Sequence, residues 1–529
     1  MKLSPKQVVQ RYQALKSDRA TWETHWQELY DYMLPRKRDV IVQTQPGQKK
    51  NAHLFDNTAM HSAGVLAASL HGMLTSPNTQ WFGLSTGDRM LDDKDNVRMW
   101  LQDTSARIFN ILNATNFNTE VHELYLDLVI AGTAIFSVEE DDEELVRFST
   151  RPIGDSVIAE NNLGMVEELS RTWKWTANQI YQHYGDKLEY PTEVAEAFKD
   201  GLSTKFEIIQ SVYKENVVGP LGSKPFISQH VLRAHDFELQ SKGFAEFPYM
   251  VPRFSKISGE MYGRSPGMVA LPDAKTVNKM DETVLIGAEK VVDPPLQLPD
   301  DGFIMPVMTL PGGLNYYRPG SNDRIEPVFN DSRIDFGFEA TSERRDRIRK
   351  AFFIDQLQLF QGAAQTATEV IQRTEESIRV LAPLLGRLRH EFLRPMLARI
   401  IAIGERREGT FLPVPRELKG KVLDVNYSSL IARAQKVQEG QNILRMVETL
   451  SPFASADPSV LDMVDGDEAA RVISRIFDIP QQILRDKKAI AQIRQQRAEA
   501  QKEAQNLERQ QAETESMKNM APILSAAKG

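Results

Sequence analysis

The chain has 529 residues, of which 64 are basic and 72 are acidic, so its formal net charge is −8. This length allows several domains with large cores, whereas the acidic balance argues against a protein that grips nucleic acid by neutralising its phosphates. Cysteine is absent, which excludes disulfides and thiolate metal sites and agrees with assembly in a reducing cytoplasm.

The first 260 residues contain the periodic patterns of both helices and strands. We predict helices over 5–34, 58–74 and 118–131, and two paired strands over 134–139 and 145–148. The stretch 57–87 has no charged residue, but its serines, glycines and proline make it too polar for a membrane span. The N-terminus lacks an apolar signal-peptide core. The sequence therefore predicts an α+β region and no membrane insertion.

Six consecutive acidic residues, at positions 139–144, separate the two predicted strands. A metal site usually needs ligands that converge from separate elements, so we interpret this run as a solvated turn, with a divalent-metal site as the alternative. The nine histidines are scattered without close pairing at ligand spacing. We expect neither a metal ion nor another cofactor.

Two long helices with polar faces are predicted on either side of a long insertion. The first begins after Ser265, which suits an N-cap, has Pro266 at its first position, and ends before the prolines at 294 and 295. The second runs over 332–359. Basic side chains on these helices lie mostly off the apolar stripe; they are Lys275, Lys279, Arg344, Arg347 and Lys350.

The insertion over 293–330 is rich in proline and glycine and also carries large apolar side chains. These are Phe303, Ile304, Met305, Met308, Tyr316 and Tyr317. Segments 305–310 and 314–318 flank Pro311-Gly312-Gly313, which predicts a hairpin. Two strands alone cannot bury this much apolar surface, so either a neighbouring subunit covers it or the hairpin folds back on its own domain.

A short uncharged loop follows the second helix and consists of Gln361, Gly362, Ala363, Ala364 and Gln365. Thr366 and Glu369 then form a capping-box pattern that opens a long helix to about residue 410, in which Pro383 and Pro395 should introduce kinks. Short helices separated by prolines are predicted over 411–480. A polar helix with a thin apolar seam follows from 481, with disorder as the alternative.

The segment Gly263-Arg264-Ser265-Pro266-Gly267 satisfies the G-x-S-x-G pattern of a hydrolase nucleophile elbow. In that motif the backbone N–H of the residue after serine helps to form the oxyanion hole, and Pro266 has no N–H. The phosphate-binding pattern G-x-x-x-x-G-K-[ST] and the zinc pattern H-E-x-x-H are both missing. We therefore predict that the chain is not an enzyme, with a serine hydrolase using Ser265 as an alternative.

Five groups of motifs, taken together, resemble the portal, or head-to-tail connector, proteins of short-tailed bacteriophages. They lie at 261–268 with 270–273, at 292–295, at 366–370 with Arg373, at 70–77 with 131–134, and at 425–429 with 432–435. The resemblance covers nearly the whole chain. Only the C-terminal tail, rich in Gln, Glu and Ala, is generic.

The resemblance implies a mixed α+β, predominantly helical portal fold that assembles as a ring of twelve. Its parts would be a wing over 1–264, a first stem helix over 265–290, a clip over 291–330, a second stem helix over 331–359, a tunnel loop over 360–365, a long wing helix over 366–410, a crown over 411–480, and a barrel helix with its tail over 481–529.

The implied function is a channel at one capsid vertex, through which double-stranded DNA is packaged and ejected without sequence specificity. Implied partners are terminase, then a tail adaptor, with the major capsid, scaffolding and internal core proteins. The tunnel loop would project toward the DNA, with a plain interhelical loop as the alternative. For the basic stem residues we expect contact with phosphates or with acidic neighbours in adjacent subunits, and the alternative is a solvated helix face. The apolar clip residues would meet other subunits or the adaptor. Such a protein is assembled in the bacterial cytoplasm and resides in the virion. A non-portal DNA-binding scaffold is a second alternative.

Overall fold

The structure is a computed structural model, and the residues that it describes are 2–92, 94–215, 224–293, 295–297, 308, 314, 316, 326–327, 334–357, 381–407, 409–418, 423–427, 440, 442–450, 452, 465–476, 490–504 and 506. The chain divides into two compact units. The larger comprises 1–84, 104–413 and 423–427, and the smaller comprises 85–103, 414–422 and 428–529.

The helices are α1 Pro5–Asp18, α2 Ala20–Met33, α3 Thr58–Leu74, α4 Arg89–Asp92, α5 Asp95–Ala114, α6 Phe117–Ala131, α7 Ala177–Tyr184, α8 Thr192–Lys199, α9 Pro266–Val292, α10 Ile334–Ala351, α11 Ile354–Leu357, α12 Arg394–Arg406 and α13 Gly466–Ile476. The strands are β1 Phe82–Ser85, β2 Ile135–Asp141, β3 Leu145–Arg151, β4 Ser156–Glu160, β5 Val166–Thr176, β6 Lys205–Lys214, β7 Phe226–Leu232, β8 Phe237–Phe244, β9 Tyr249–Met250, β10 Leu296–Gln297, β11 Glu326–Pro327 and β12 Asp424–Tyr427. Residues 381–388, 442–450 and 490–504 are also helical.

A five-stranded antiparallel sheet, in the order β4-β5-β6-β7-β8, forms the centre of one core. Successive side chains of a strand point to opposite faces, so Ile208 and Ile209 of β6 serve different layers. Ile209 packs in a cluster with Tyr12 of α1, whereas Ile208 packs with Ile180 of α7 and Val194 of α8. The sheet therefore lies between helices on both faces.

A second core forms around the three-stranded sheet β3-β2-β9. The rings of Phe136 and Phe148 stack with centroids 5.6 Å apart, and Phe117 and Phe392 contact them edge-on. The outer edge of β3 is covered, because the side chain of Asn116 donates to the Phe148 carbonyl over 2.8 Å and accepts from its N–H over 3.1 Å. This cover removes an open edge that another chain could pair with.

Three almost fully buried arginines hold distant segments of the larger unit together. Arg19 donates to main-chain carbonyls of the turn Ile153–Asp155, and Arg399 donates to a carbonyl of β2 over 2.8 Å. Arg253 lies 2.7 Å from a carboxylate oxygen of Glu391. A buried charge is tolerated only when it is paired or hydrogen-bonded, so each arginine fixes the segments that satisfy it.

Two helix predictions need correction. The predicted helix over 5–34 is two helices, because Arg19 leaves the helical conformation and turns its side chain into the interior. The predicted helix over 332–359 is interrupted after α10, where Phe352 is fully buried and Phe353 takes a φ of 59° before α11 begins. Near Pro395 the helix widens into a π-helical turn, Arg389–Leu393, which leaves room for a ring that clashes with a regular helix.

The helix predicted over 58–74 is confirmed as α3, the one over 118–131 as α6, and the predicted strand pair as β2 and β3, which are longer than expected. The acidic run ends β2 and forms the following turn. There a carboxylate oxygen of Asp141 accepts the N–H groups of Glu143 and Glu144, each over 2.9 Å. These backbone hydrogen bonds lower the pKa of Asp141. The turn is also bound by α12, because Arg406 lies 2.8 Å from Glu140.

Within the described ranges, no group of three or more His, Asp or Glu side chains is placed to hold a metal ion. None of the described helices is both long enough and apolar enough to cross a membrane.

Candidate channel and assembly surface

The start of α9 shows why the sequence around Ser265 has its particular composition. The hydroxyl of Ser265 accepts the N–H of Met268 over 3.0 Å and donates to the carbonyl of Ile130 over 2.7 Å. The side chain is buried, and its donor and its N-cap acceptor are both in use. Ser265 is therefore a helix cap, and this geometry excludes the alternative in which it acts as a hydrolase nucleophile.

Two of the recognisable motifs meet at a single backbone contact, which we call the glycine junction and define as residues 130–133 and 263–267. Gly132 ends α6 with a φ of 80°, and a Cβ at this position would collide with the carbonyl of Gly263. The N–H of Gly263 donates to the Thr133 hydroxyl over 2.7 Å. Trp26 donates its indole N–H to the carbonyl of Ala131 over 3.1 Å. Glycine is needed here because only a bare backbone allows this approach.

A polar network then ties α9 and α10 to the segment before α3. The side chain of Asn278 accepts from the N–H of Phe55 over 2.7 Å and donates to the carbonyl of His53 over 3.0 Å. Arg345 bridges two carboxylates, lying 2.8 Å from Asp56 and 2.5 Å from Asp281.

The charges of this bridge shift one another's protonation. Burial raises the pKa of Asp281, against the opposing charge of Arg345. Burial also opposes the charge of Arg345, but hydrogen bonds and charges from Asp56 and Asp281 raise its pKa overall. Arg345 was not among the candidate residues taken from the sequence, and no sequence signal separates it from the basic residues beside it.

The five predicted basic residues fall into two groups. Lys275 pairs with Glu28 of α2, and Arg344 pairs with Asp273 of α9, each over 2.7 Å, so both link separate helices. The other three lie on the surface of their own helix. Lys279 pairs with Glu282 and Arg347 pairs with Glu343 a turn or less away, and Lys350 is exposed without an ion pair to any described residue.

The far half of α9 and the facing part of α10 expose large apolar side chains to solvent. The exposed fractions are 52% for Leu285, 44% for Ile286, 55% for Val291, 85% for Val292 and 58% for Phe338. We call these five side chains the stem face. The sequence could not reveal their exposure, because helical periodicity does not distinguish an apolar side chain that packs on its own chain from one that remains in water.

The two helices still touch each other beside the stem face. A Cβ added to Gly337 of α10 would meet a methyl group of Val284 at 2.8 Å. Val284 is thus turned toward α10, while its neighbours Leu285 and Ile286 are turned to solvent. The apolar surface of the stem face is therefore left uncovered by the described part of this chain.

The described residues include two of the predicted clip candidates, Met308 and Tyr316. Met308 and Tyr316 are more than half exposed, and β10 pairs antiparallel with β11, which brings the two ends of the insertion together. The other clip candidates lie outside the described residues: Phe303, Ile304, Met305 and Tyr317. The tunnel-loop residues Gln361, Gly362, Ala363, Ala364 and Gln365 also lie outside them.

Comparison with known proteins gives consistent relatives. Residues 5–484 match the profile of a family described as bacteriophage head to tail connecting protein. A "Probable portal protein" of Bordetella phage BPP-1 is 30% identical over 517 residues, which cover 94% of this chain and 92% of that protein. A "Portal protein" of Salmonella phage epsilon15 is 27% identical over 524 residues, covering 96% and 93%.

Among solved structures, a chain described as "Neck of empty GTA particle computed with C6 symmetry" matches 84% of this chain and 99% of its own length. It is 9% identical with a TM-score of 0.37. A likeness at that level carries no argument about fold or assembly.

Proposed function

Because the chain belongs to the bacteriophage head-to-tail connecting protein family, whose members are structural portal proteins of the virion and not enzymes, we propose that it forms a dodecameric ring at one capsid vertex. The ring would be the channel for genome packaging and ejection. It would dock terminase during packaging and a tail adaptor afterwards. Contacts with the major capsid, scaffolding and internal core proteins would hold it in the shell.

The observation that carries this proposal is the stem face. Large apolar side chains left exposed near one another are a mark of an interaction site, and the 27 residues of α9 span about 40 Å. In a closed ring, the stem face of each subunit would be covered by a different surface of the next. Such a head-to-tail contact repeats around the symmetry axis and leaves no copy uncovered.

We assign the parts of the ring with the bounds that the family resemblance implies. The wing would be 1–264, the first stem helix 265–290 within α9, the clip 291–330, and the second stem helix 331–359 containing α10 and α11. The tunnel loop would be 360–365, the long wing helix 366–410 including α12, the crown 411–480, and the barrel helix with its tail 481–529. The short β10–β11 ladder supports a clip that leaves and re-enters the stem at one place.

Within the channel, we assign DNA contact to the tunnel loop Gln361, Gly362, Ala363, Ala364 and Gln365. Small uncharged side chains offer a moving duplex little to grip, and a glycine gives the loop backbone freedom. Among the basic stem candidates, we assign phosphate contact to Lys279, Arg347 and Lys350, whose side chains are exposed and make no ion pair outside their own helix among the described residues. Lys275 would instead hold the first stem helix to α2, and Arg344 would hold the two stem helices together.

At the clip, we assign subunit and adaptor contacts to the large apolar side chains. These are Phe303, Ile304, Met305, Met308, Tyr316 and Tyr317. The exposure of Met308 and Tyr316 in a single chain supports this assignment, because an adaptor or a second subunit would remove that surface from water. Replacing two of these side chains with aspartate should impair assembly or tail attachment, since burying an unpaired carboxylate is costly.

Electron microscopy of the purified chain in negative stain tests the ring. We expect rings with a central hole from the unaltered chain. The double substitution Leu285→Asp with Ile286→Asp should leave a folded monomer that no longer forms rings, because it places two charges in the stem contact. Leu163→Asp is the matched control: its side chain is 78% exposed in the β4–β5 turn, outside the stem, and should not affect rings. Uniform monomers from the unaltered chain, or normal rings from the double variant, would count against the proposal.

A further inference from the structure

The motif at residues 70–77 contains His71, whose ring lies beside that of His122, and the portal assignment leaves both histidines unused. His71 lies in the last turn of α3, and His122 lies in α6. Their ring centroids are 6.3 Å apart with an angle of 66° between the planes. The two helices pack against each other, so the pair joins elements that are distant in sequence.

One nitrogen of the His71 ring is held by a buried hydroxyl. The Nδ1 atom lies 3.0 Å from the hydroxyl oxygen of Thr75, which itself lies 3.3 Å from the hydroxyl of Tyr125. Thr75 and Tyr125 are both fully buried. When Nδ1–H donates to Thr75, the Nε2 atom of His71 is left with a free lone pair. Protein hydrogen bonds of this kind orient metal-binding histidines.

The surroundings of the pair keep His71 neutral. Burial lowers the pKa of His71, and the nearby His122 lowers it further. A neutral imidazole is the form that binds a metal ion. His122 is partly exposed, and its ring makes no hydrogen bond to any residue in the described part of the chain, so its nitrogens are available.

We propose that His71 and His122 together bind one divalent transition-metal ion, with water in the remaining positions. Imidazole nitrogens suit zinc, copper and nickel ions. With metal–nitrogen bonds of about 2.1 Å, the ring centroids of two imidazoles on one ion lie about 5.3 Å apart at a tetrahedral angle and about 6.5 Å apart on opposite sides of the ion. The observed 6.3 Å therefore fits imidazoles on opposite sides of a square-planar copper or nickel ion. The bound ion would link α3 to α6, the helix that ends at the glycine junction.

Copper and nickel are suitable probes for this site on the full-length chain. Titration with Cu²⁺ in a non-coordinating buffer, followed by electron paramagnetic resonance, should give the hyperfine pattern of two imidazole nitrogens at one equivalent. Ni²⁺ should raise the midpoint of thermal unfolding. His71→Gln and His122→Gln should each reduce the affinity at least tenfold and remove one nitrogen from the copper spectrum. His61→Gln, an exposed histidine on the same α3 helix, should change neither result.

Thr75→Val tests the positioning role of the hydroxyl. It should weaken copper binding by about tenfold, as loss of an outer-shell partner does, while the two-nitrogen pattern is kept. Equal binding by the unaltered chain, His71→Gln and His122→Gln would overturn the proposal, as would a spectrum with a single nitrogen in the unaltered chain. His122→Gln decides the matter if His71→Gln fails to fold, because His122 supports no hydrogen bond among the described residues.

Discussion

The glycine junction and the stem face belong to the same unit and are joined by α9, yet their physical chemistry is opposite. In the junction, backbone meets backbone, and the polar groups of Ser265, Gly263 and Trp26 are hydrogen-bonded to named partners. On the stem face, large apolar side chains such as Val292 remain in water. The contacts of the junction all lie within one chain, whereas the stem face is not covered by any described residue of that chain.

The residues that make the chain recognisable are therefore different from the residues that we propose for assembly. Three glycines of the motif segments 131–134 and 263–267, Gly132, Gly263 and Gly267, lie where a Cβ would collide with or crowd neighbouring backbone atoms. The stem face needs only apolar character at suitable positions, which many sequences supply. A motif can therefore identify the fold while the proposed assembly surface lies elsewhere on the same helix.

Gly263→Ala should have the largest effect on stability. The added Cβ would collide with the backbone carbonyl of Gly132, and a backbone contact cannot move aside as a flexible side chain can. We expect a loss of about 3 kcal/mol or more in the free energy of unfolding, measured by denaturant titration.

Gly64→Ala is the matched control for this change. Gly64 lies inside α3, where a Cβ would meet nothing within 4 Å. Alanine there should stabilise the chain by about 0.5 to 1 kcal/mol, because glycine loses more backbone freedom on folding. Similar stability for both variants would contradict the close contact in the glycine junction.

Arg345→Ala should have the next largest effect. It would leave Asp56 and Asp281, both largely buried, without the cation between them. Breaking a buried pair costs several kcal/mol, but Arg345 is itself about one-third exposed, so we expect a loss of about 1 to 3 kcal/mol.

The control for Arg345 lies two positions further along α10. Arg347→Ala removes an ion pair in which both side chains are more than half exposed, and should change the free energy of unfolding by less than about 0.5 kcal/mol. Thermal unfolding of both variants compares a charge that holds helices together with one on the surface. A loss for Arg347→Ala equal to that for Arg345→Ala would remove this distinction.

Acid titration tests a second buried polar group, the imidazole of His230 in β7 of the five-stranded sheet. Burial, followed by the charge of Arg171, lowers the pKa of His230 from 6.5 to about 3. The unfolded chain therefore takes up a proton at higher pH than the folded chain. The stability from neutral His230 is present above about pH 6.5 and is lost as the pH falls toward 3, by at most about 1.4 kcal/mol per pH unit.

His230→Gln should flatten this slope, which can be measured by urea unfolding at pH 7, 6, 5 and 4. His61→Gln, at an exposed position of α3, should retain the slope of the unaltered chain. Parallel curves for all three proteins would mean that His230 titrates normally in the folded state.

The parts of the fold that could be predicted from sequence are those with a local cause. Ser265 and Pro266 mark the start of α9 because capping depends on neighbouring residues alone. The break at Arg19 could not be predicted, since its cause is a set of carbonyls more than a hundred positions away. Phe353 leaves the helical conformation for a similar reason, as the adjoining Phe352 is buried in the core.

The residues of the candidate site also differ in whether their role has a local cause. Helical spacing places Lys279 and Lys275 on α9, but only the packed structure gives Lys275 a partner on α2. Arg345 and the pair formed by His71 and His122 depend on contacts between helices that sequence spacing does not encode. Side-chain clusters that form by packing of separate helices cannot be predicted before the positions of those helices are known.

The smallest effect on the fold is expected where we propose contact with DNA. The triple change Lys279→Gln, Arg347→Gln and Lys350→Gln should leave the unfolding midpoint unchanged, because exposed ion pairs contribute little. Removing cations that meet phosphates should nevertheless reduce packaged DNA length or retention and lessen their dependence on salt. Lys275→Gln with Arg344→Gln should do the reverse: a small loss of stability from two broken interhelical pairs, with retention unaffected. Unaltered packaging in the triple variant would leave these residues as a solvated surface.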